Sequence, residues 1–101
     1  MEDIQIVTEL KRLVQEVYPE SIVYFYGSRA NQTNREDSDY DVLVILNEIT
    51  PVIRDTIYDL AWEVGFKYSA LISPVLAKKS EFTRMSGSPF FNNIRQTGLL
   101  L

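Results

Sequence analysis

Apolar residues recur along the first part of the chain at the spacing of one helical face. The residues at this spacing are Ile6, Leu10, Leu13 and Val17. Positions three and four apart lie on the same side of a helix, so the pattern predicts a first helix that ends at about Val17. Asp3 is a candidate N-cap for this helix, and Pro19 is expected to stop it because proline lacks an amide hydrogen.

Three later segments have the composition of strands. Residues 21–27 and Tyr40–Leu46 are rich in β-branched and aromatic residues, and the second is continuously apolar after Asp41, as in a strand covered on both faces. Residues 67–77 form a third candidate strand, and Pro74 places it near a sheet edge or a bulge because proline cannot donate to a neighbouring strand. The polar segment 28–38 is predicted to start as a short helix and then become loop.

A second helix is predicted after the second strand. Thr50 followed by Pro51 combines a capping side chain with proline at the first helical position, and Gly65 is the expected stop. Trp62 stands next to the apolar stripe of this helix and is predicted to lie in the core or in an interface. The apolar stripe consists of Ile53, Ile57, Leu60, Ala61 and Val64.

Two shorter helices are predicted near the C-terminus. Ser80 is a candidate cap for a helical turn over residues 80–85, and Ser88 with Pro89 begins a last helix that Gly98 ends. The apolar tail, residues 99–101, is expected to pack against another part of the molecule.

The predicted order of elements is therefore α-β-β-α-β-α, in one domain that covers residues 1–101. A mixed three- to four-stranded sheet with flanking helices would let each amphipathic helix bury its apolar face. The predicted fold class is α/β (α+β).

Composition and charge narrow the possible chemistry. The chain has 101 residues and a net charge of −4, and it contains neither cysteine nor histidine. These absences exclude disulfides, thiolate chemistry, histidine-based triads and the usual zinc sites. The negative charge argues against direct DNA binding, which commonly uses an excess of Lys and Arg. No apolar run is long enough to span a membrane, and the acidic N-terminus is unlike a secretory signal, so a cytoplasmic location is expected.

Polar residues with a chemical role cluster at the ends of the first two strands. Gly27 permits a sharp turn and a close approach of ligand to backbone, and Ser28 adds a hydroxyl. Asp39 and Asp41 flank Tyr40, so on an extended chain both carboxylates point to one side. Two such carboxylates repel each other, and Mg²⁺ relieves the repulsion by binding one or two carboxylates together with phosphate oxygens. The cluster predicts a site for a nucleoside triphosphate with Mg²⁺.

The same segment closely resembles the signature of a known family. Gly-Ser, ten residues, then Asp-x-Asp is the signature of the minimal nucleotidyltransferase domain of the DNA polymerase beta superfamily, and residues 27–41 match its spacing. Arg29 after the serine, Ser38 before the first aspartate, and the apolar strand after the second aspartate also match.

The resemblance implies a polymerase beta palm-like fold that binds ATP or a similar nucleotide. It implies Mg²⁺ held by Asp39 and Asp41, with Gly27 and Ser28 meeting the phosphates and a hydroxyl attacking the α-phosphate to release pyrophosphate. Arg29 would either reach the triphosphate or be a surface arginine at a helix start.

One departure from the family pattern leaves two functions open. Members usually carry a third carboxylate on the following strand, where this chain offers Ser69, Leu71 and Ser73. The first function is an enzyme that transfers AMP from ATP to a hydroxyl of a protein or small molecule, as an antitoxin to an HEPN-type toxin. The alternative is a catalytically weak, nucleotide-binding antitoxin that acts by protein contact. Either function allows a homo- or hetero-oligomer.

Overall fold

The computed structural model describes residues 2–31, 39–84 and 87–101. Ser38 and the predicted helix end at Met85 lie outside the described residues. The helices are α1 (Glu2–Val17), α2 (Pro51–Tyr68), α3 (Lys79–Arg84) and α4 (Pro89–Thr97), and the strands are β1 (Ile22–Tyr26), β2 (Tyr40–Leu46), β3 (Ile72–Lys78) and β4 (Leu99–Leu100). Within these ranges no helix is both long enough and apolar enough to cross a membrane.

The strands form one mixed sheet in the order β3-β2-β1-β4. β1 is antiparallel to β2 and β4, whereas β2 is parallel to β3. β2 is central and its residues 42–46 are buried, which confirms the prediction from its continuous apolar run. β3, which contains Pro74, is an edge strand, as predicted. The apolar tail packs as predicted, because residues 99–100 form β4.

Helices cover both faces of the sheet. On the α1 face, residues of α1 and α2 pack on alternate positions of the strands, including Phe25, Tyr40 and Val42. On the opposite side, the α4 face, Ile94 of α4 packs with Leu43 and Ile45 of β2. The predicted α/β class with a mixed sheet and flanking helices is therefore confirmed.

α2 continues beyond its predicted stop at Gly65. The helix ends at Ser69, whose φ of 52° is left-handed and whose amide donates to the preceding turn. Gly65 serves a different purpose, because a Cβ there would lie 2.5 Å from the Ala70 carbonyl oxygen, where the chain turns back toward the sheet. The third strand consequently begins at Ile72, five residues later than predicted.

Other predicted details of the helices are wrong for packing reasons. α1 already includes Asp3, which accepts a hydrogen bond from the Tyr40 hydroxyl and does not act as the predicted cap. Val17 is 51% exposed, because the buried side of α1 runs along Ile6, Val7, Leu10 and Val14.

In the later helices, Ser80 lies within α3 and is not the cap that had been predicted. Trp62 is 67% exposed and therefore not part of the core, and its predicted alternative place in an interface stays a prediction. The predicted starts of α2 at Thr50-Pro51 and of α4 at Ser88-Pro89 are confirmed.

Candidate active site

The end of β1 brings Gly27 against the carboxylate of Asp41. Tyr26, the last residue of β1, is the cross-strand partner of Asp41. The backbone then turns at Gly27 with a φ of +85°, and a Cβ at that position would lie 2.5 Å from Asp41 Oδ2. The Asn31 amide donates to the Gly27 carbonyl at 3.0 Å, so residues 28–31 form a hydrogen-bonded turn, and the rest of the segment in which a short helix was predicted lies outside the described residues. A side chain at position 27 would occupy the space beside the Asp41 carboxylate.

Asp39 and Asp41 both lie toward the α4 face. Ser73 is the partner of Asp41 on the parallel strand β3, so the two side chains emerge on the same face. Ser73 Oγ donates a hydrogen bond of 2.9 Å to Asp39 Oδ2, which places Asp39 on that face as well. Tyr40, between the two aspartates, points to the α1 face and packs on Phe25. The alternation of an extended chain thus places both carboxylates together.

The electrostatics of the pair reflect this proximity. Partial burial raises the pKa of Asp41 above its usual value, and the negative charge of Asp39 raises it further. Burial likewise raises the pKa of Tyr26, with a contribution from the charge of Asp41. A carboxylate whose charge is disfavoured by burial and by a second carboxylate beside it forms a site where a bound cation would be stabilising.

Arg29 does not join the two aspartates in this structure. Its guanidinium carbon lies 4.2 Å from the centre of the Tyr40 ring, and Nη1 is 3.5 Å from Asp3 Oδ2. Both partners are on the α1 face, whereas the carboxylates of Asp39 and Asp41 are on the α4 face. Ser28 follows Gly27 in the turn at the sheet end. Phosphate binding by Ser28 and Arg29 stays a prediction.

The sequence matches the family described as Polymerase beta, Nucleotidyltransferase over residues 5–99. The chain belongs to this nucleotidyltransferase family. It is 33% identical over 84 residues to a Methanocaldococcus jannaschii protein assigned as a protein adenylyltransferase, an alignment that covers 79% of this chain and 84% of that protein.

Two solved structures share the nucleotidyltransferase fold. A toxin–antitoxin structure with AMP-PNP has a TM-score of 0.66 and 16% identity, and the match covers 99% of this chain and 72% of that one. A Sulfolobus solfataricus protein assigned as a nucleotidyltransferase has a TM-score of 0.60 and 18% identity, with 98% and 78% covered.

β3, the strand on which the family pattern led us to expect a third carboxylate, contains no acidic residue. Among the described residues, no group of three acidic side chains is arranged to hold a metal. Of the three positions considered for the missing acid, Ser69 is the cap of α2 and Leu71 precedes β3. Only Ser73 reaches the site, where it donates to Asp39.

One aromatic side chain near the site was not predicted from the sequence. Phe90, at the start of α4, lies with its ring 5.6 Å from that of Tyr26, the cross-strand partner of Asp41, and perpendicular to it. Its distance along the chain gave no signal, because only the packing of α4 on the sheet brings it there.

Proposed function

We propose that this nucleotidyltransferase moves AMP from ATP to a hydroxyl of a protein acceptor, with Mg²⁺ bound by Asp39 and Asp41. The observation that carries the proposal is the placement of both carboxylates on one face beside the Gly27 turn. The name of the Methanocaldococcus jannaschii relative supports a protein acceptor, and the AMP-PNP in the toxin–antitoxin structure supports an adenine nucleotide.

The residues present fit Mg²⁺. Asp39 and Asp41 supply hard oxygen ligands, and burial together with the charge of Asp39 raises the pKa of Asp41, so a bound cation would stabilise its charged form. Mg²⁺ usually binds one or two carboxylates, with the remaining ligands from water and substrate phosphates, so a pair is sufficient. When bound, the ion would neutralise charge on the triphosphate and make the α-phosphorus more electrophilic.

The remaining residues bind and orient the substrate. Gly27 lets the triphosphate approach the backbone of the turn, and Ser28 would donate its hydroxyl to a phosphate oxygen. Arg29 would bind the phosphates once its side chain has moved away from Asp3 and the Tyr40 ring. The acceptor hydroxyl oxygen forms a bond to the α-phosphorus, and the bond between that phosphorus and the α–β bridging oxygen breaks. Pyrophosphate leaves, and the proton of the hydroxyl passes to water or to a carboxylate.

The presence of Ser73, and not a carboxylate, beside Asp39 supports a second candidate function. A serine cannot accept the proton of the attacking hydroxyl as a carboxylate would, and such base catalysis typically contributes about 10²–10⁴-fold. The alternative is therefore an antitoxin that binds nucleotide, transfers AMP slowly, and neutralises an HEPN-type toxin by contact.

One assay separates the two functions. The protein is incubated with Mg²⁺, ATP labelled at the α-phosphate, and the product of the neighbouring gene. The enzyme hypothesis expects label on the partner, which Asp39→Asn, Asp41→Asn or EDTA abolishes. Asp59→Asn, an exposed carboxylate on α2, is the matched control and should leave transfer unchanged.

The contrary results are equally specific. Neutralisation of the partner that survives both site substitutions, without transfer of label, would establish the contact function. Label transfer that persists in Asp39→Asn and Asp41→Asn would show that the aspartate pair is not the site.

A further inference from the structure

Helix α4 carries an aromatic ring toward the acidic end of the sheet. Ile94 of α4 is fully buried in a cluster with Leu43 of β2. Phe90 lies one helical turn before Ile94 on the same side of α4, and one turn advances about 5.4 Å. Along β2, Asp41 lies two residues before Leu43, a separation of about 6.7 Å. The two steps are therefore similar in length.

The ring contacts establish that both steps lead in the same direction. The Phe90 ring is 5.6 Å from the Tyr26 ring, at an interplanar angle of 90°. Tyr26 is the cross-strand partner of Asp41, so its ring stands beside that carboxylate on the α4 face. Phe90 is thus at the site end of the sheet and not over its middle.

Core packing does not account for the exposed part of this ring. Phe91 and Ile94 belong to the apolar cluster of the α4 face, whereas Phe90 is 43% exposed and contacts that cluster through Tyr26 and Phe91. An edge-to-face contact with Tyr26 fixes one side of the Phe90 ring and leaves another part of its surface open to solvent.

We propose that Phe90, supported by Tyr26, is the platform on which the base of the bound nucleoside triphosphate stacks. The inference rests on the proposed function, because it requires the triphosphate at Asp39, Asp41 and Gly27. The ribose would then span the distance from the α-phosphate to the ring. Stacking on an aromatic side chain suits any flat base, and it is strong enough to contribute measurably to affinity.

The test compares a ligand that has a base with one that has none. Binding of the Mg²⁺ complexes of α,β-methylene-ATP, which cannot transfer AMP, and of tripolyphosphate is measured by calorimetry on the full chain. Phe90→Leu keeps an apolar side chain against Tyr26 but removes the ring, and Phe90→Trp keeps a ring. Phe66→Ala removes an exposed ring on α2, on the other face of the sheet, and is the matched control.

The expected result is selective. Phe90→Leu should weaken binding of the ATP analogue about tenfold and leave tripolyphosphate unchanged, because only the base is affected. Phe90→Trp and Phe66→Ala should bind both ligands as the wild type does. Equal circular dichroism spectra and melting temperatures establish that the variants are folded.

Two different failures are distinguishable. If the wild type binds neither ligand, the proposed nucleotide site is wrong, and the stacking role of Phe90, which depends on that site, is wrong as well. If tripolyphosphate binds but Phe90→Leu weakens both ligands equally or neither, the triphosphate site stands and the platform alone is overturned.

Discussion

At Gly27 the backbone φ is +85°, and the space for a Cβ is taken by the Asp41 carboxylate 2.5 Å away. Either condition alone disfavours other residues at this position, since left-handed backbone is strained for residues that have a Cβ. Together they connect a local property of the chain to the position of a proposed metal ligand. The glycine of the Gly-Ser pair is thus required both by the turn and by the site.

Gly27→Ala should therefore damage both stability and binding. We expect a loss of about 1–3 kcal/mol in the free energy of unfolding, from backbone strain and the displaced carboxylate, together with loss of Mg²⁺-dependent ATP binding. Urea denaturation and calorimetry measure the two effects. Gly87→Ala is the control, because a Cβ there meets nothing within 4 Å. Equal stability of the two variants would contradict the close contact at Gly27.

The last turn of α2 links this helix to α1. Because α2 continues past Gly65, Lys67 and Tyr68 reach Glu9 of α1, with Lys67 Nζ 3.1 Å from Glu9 Oε2 and the Tyr68 hydroxyl 2.7 Å from Glu9 Oε1. These contacts join the two helices that cover one face of the sheet. They are made by the last turn of α2, which would be absent if the helix ended at Gly65 as predicted.

The contact predicts a dependence of stability on pH. The hydrogen bond from Tyr68, and then that from Lys67, lower the pKa of Glu9 below its usual value of 4.5. A lowered carboxyl pKa stabilises the folded state above the unfolded-state pKa, and the contribution is lost as the pH falls through the folded-state pKa. Wild type should therefore be slightly more stable than Glu9→Gln at pH 7.

Urea midpoints of both proteins between pH 7 and pH 3 test this. The difference between them should shrink as the pH falls below 4.5. The effect should be small because Lys67 is well exposed. If the difference in urea midpoint between the two proteins grew as the pH fell, the pKa of Glu9 would not be lowered in the folded state.

At the scale of the whole molecule, β3 is an edge strand, and in the described part of the chain no strand pairs with its outer side. The Tyr40 amide donates to the Leu71 carbonyl, and the parallel register then directs the amides of residues 73, 75 and 77 toward β2. Position 74 faces outward, and Pro74 has no amide hydrogen to offer there. A proline at an edge is a common protection against pairing with another sheet.

Pro74→Val should promote self-association by restoring a donor at the outer edge of β3. Sedimentation velocity should show a larger weight-average coefficient than the wild type, increasing with protein concentration. Val75→Thr changes a residue whose amide already faces β2 and should sediment as the wild type does. Identical sedimentation of Pro74→Val and wild type over a wide concentration range would argue against the protective role.

Much of the fold follows from local patterns. The starts of α2 and α4 were predictable because a capping hydroxyl and a following proline act within one turn. β2 was predictable because five consecutive apolar residues suit a central strand. Helix ends were less predictable, since whether a chain continues past Gly65 depends on what the next turn packs against.

The sequence by itself determined the chemistry available and the pairing of the two carboxylates. Alternation along an extended chain is a property of neighbouring residues, so Asp39 and Asp41 share a side wherever the strand lies. Only the tertiary structure decided which groups surround them: Ser73 beside Asp39, Phe90 beside Tyr26, and Arg29 on Tyr40. These neighbours come from distant parts of the chain or from the opposite face of the sheet, so they depend on strand order and helix packing, which no local pattern encodes.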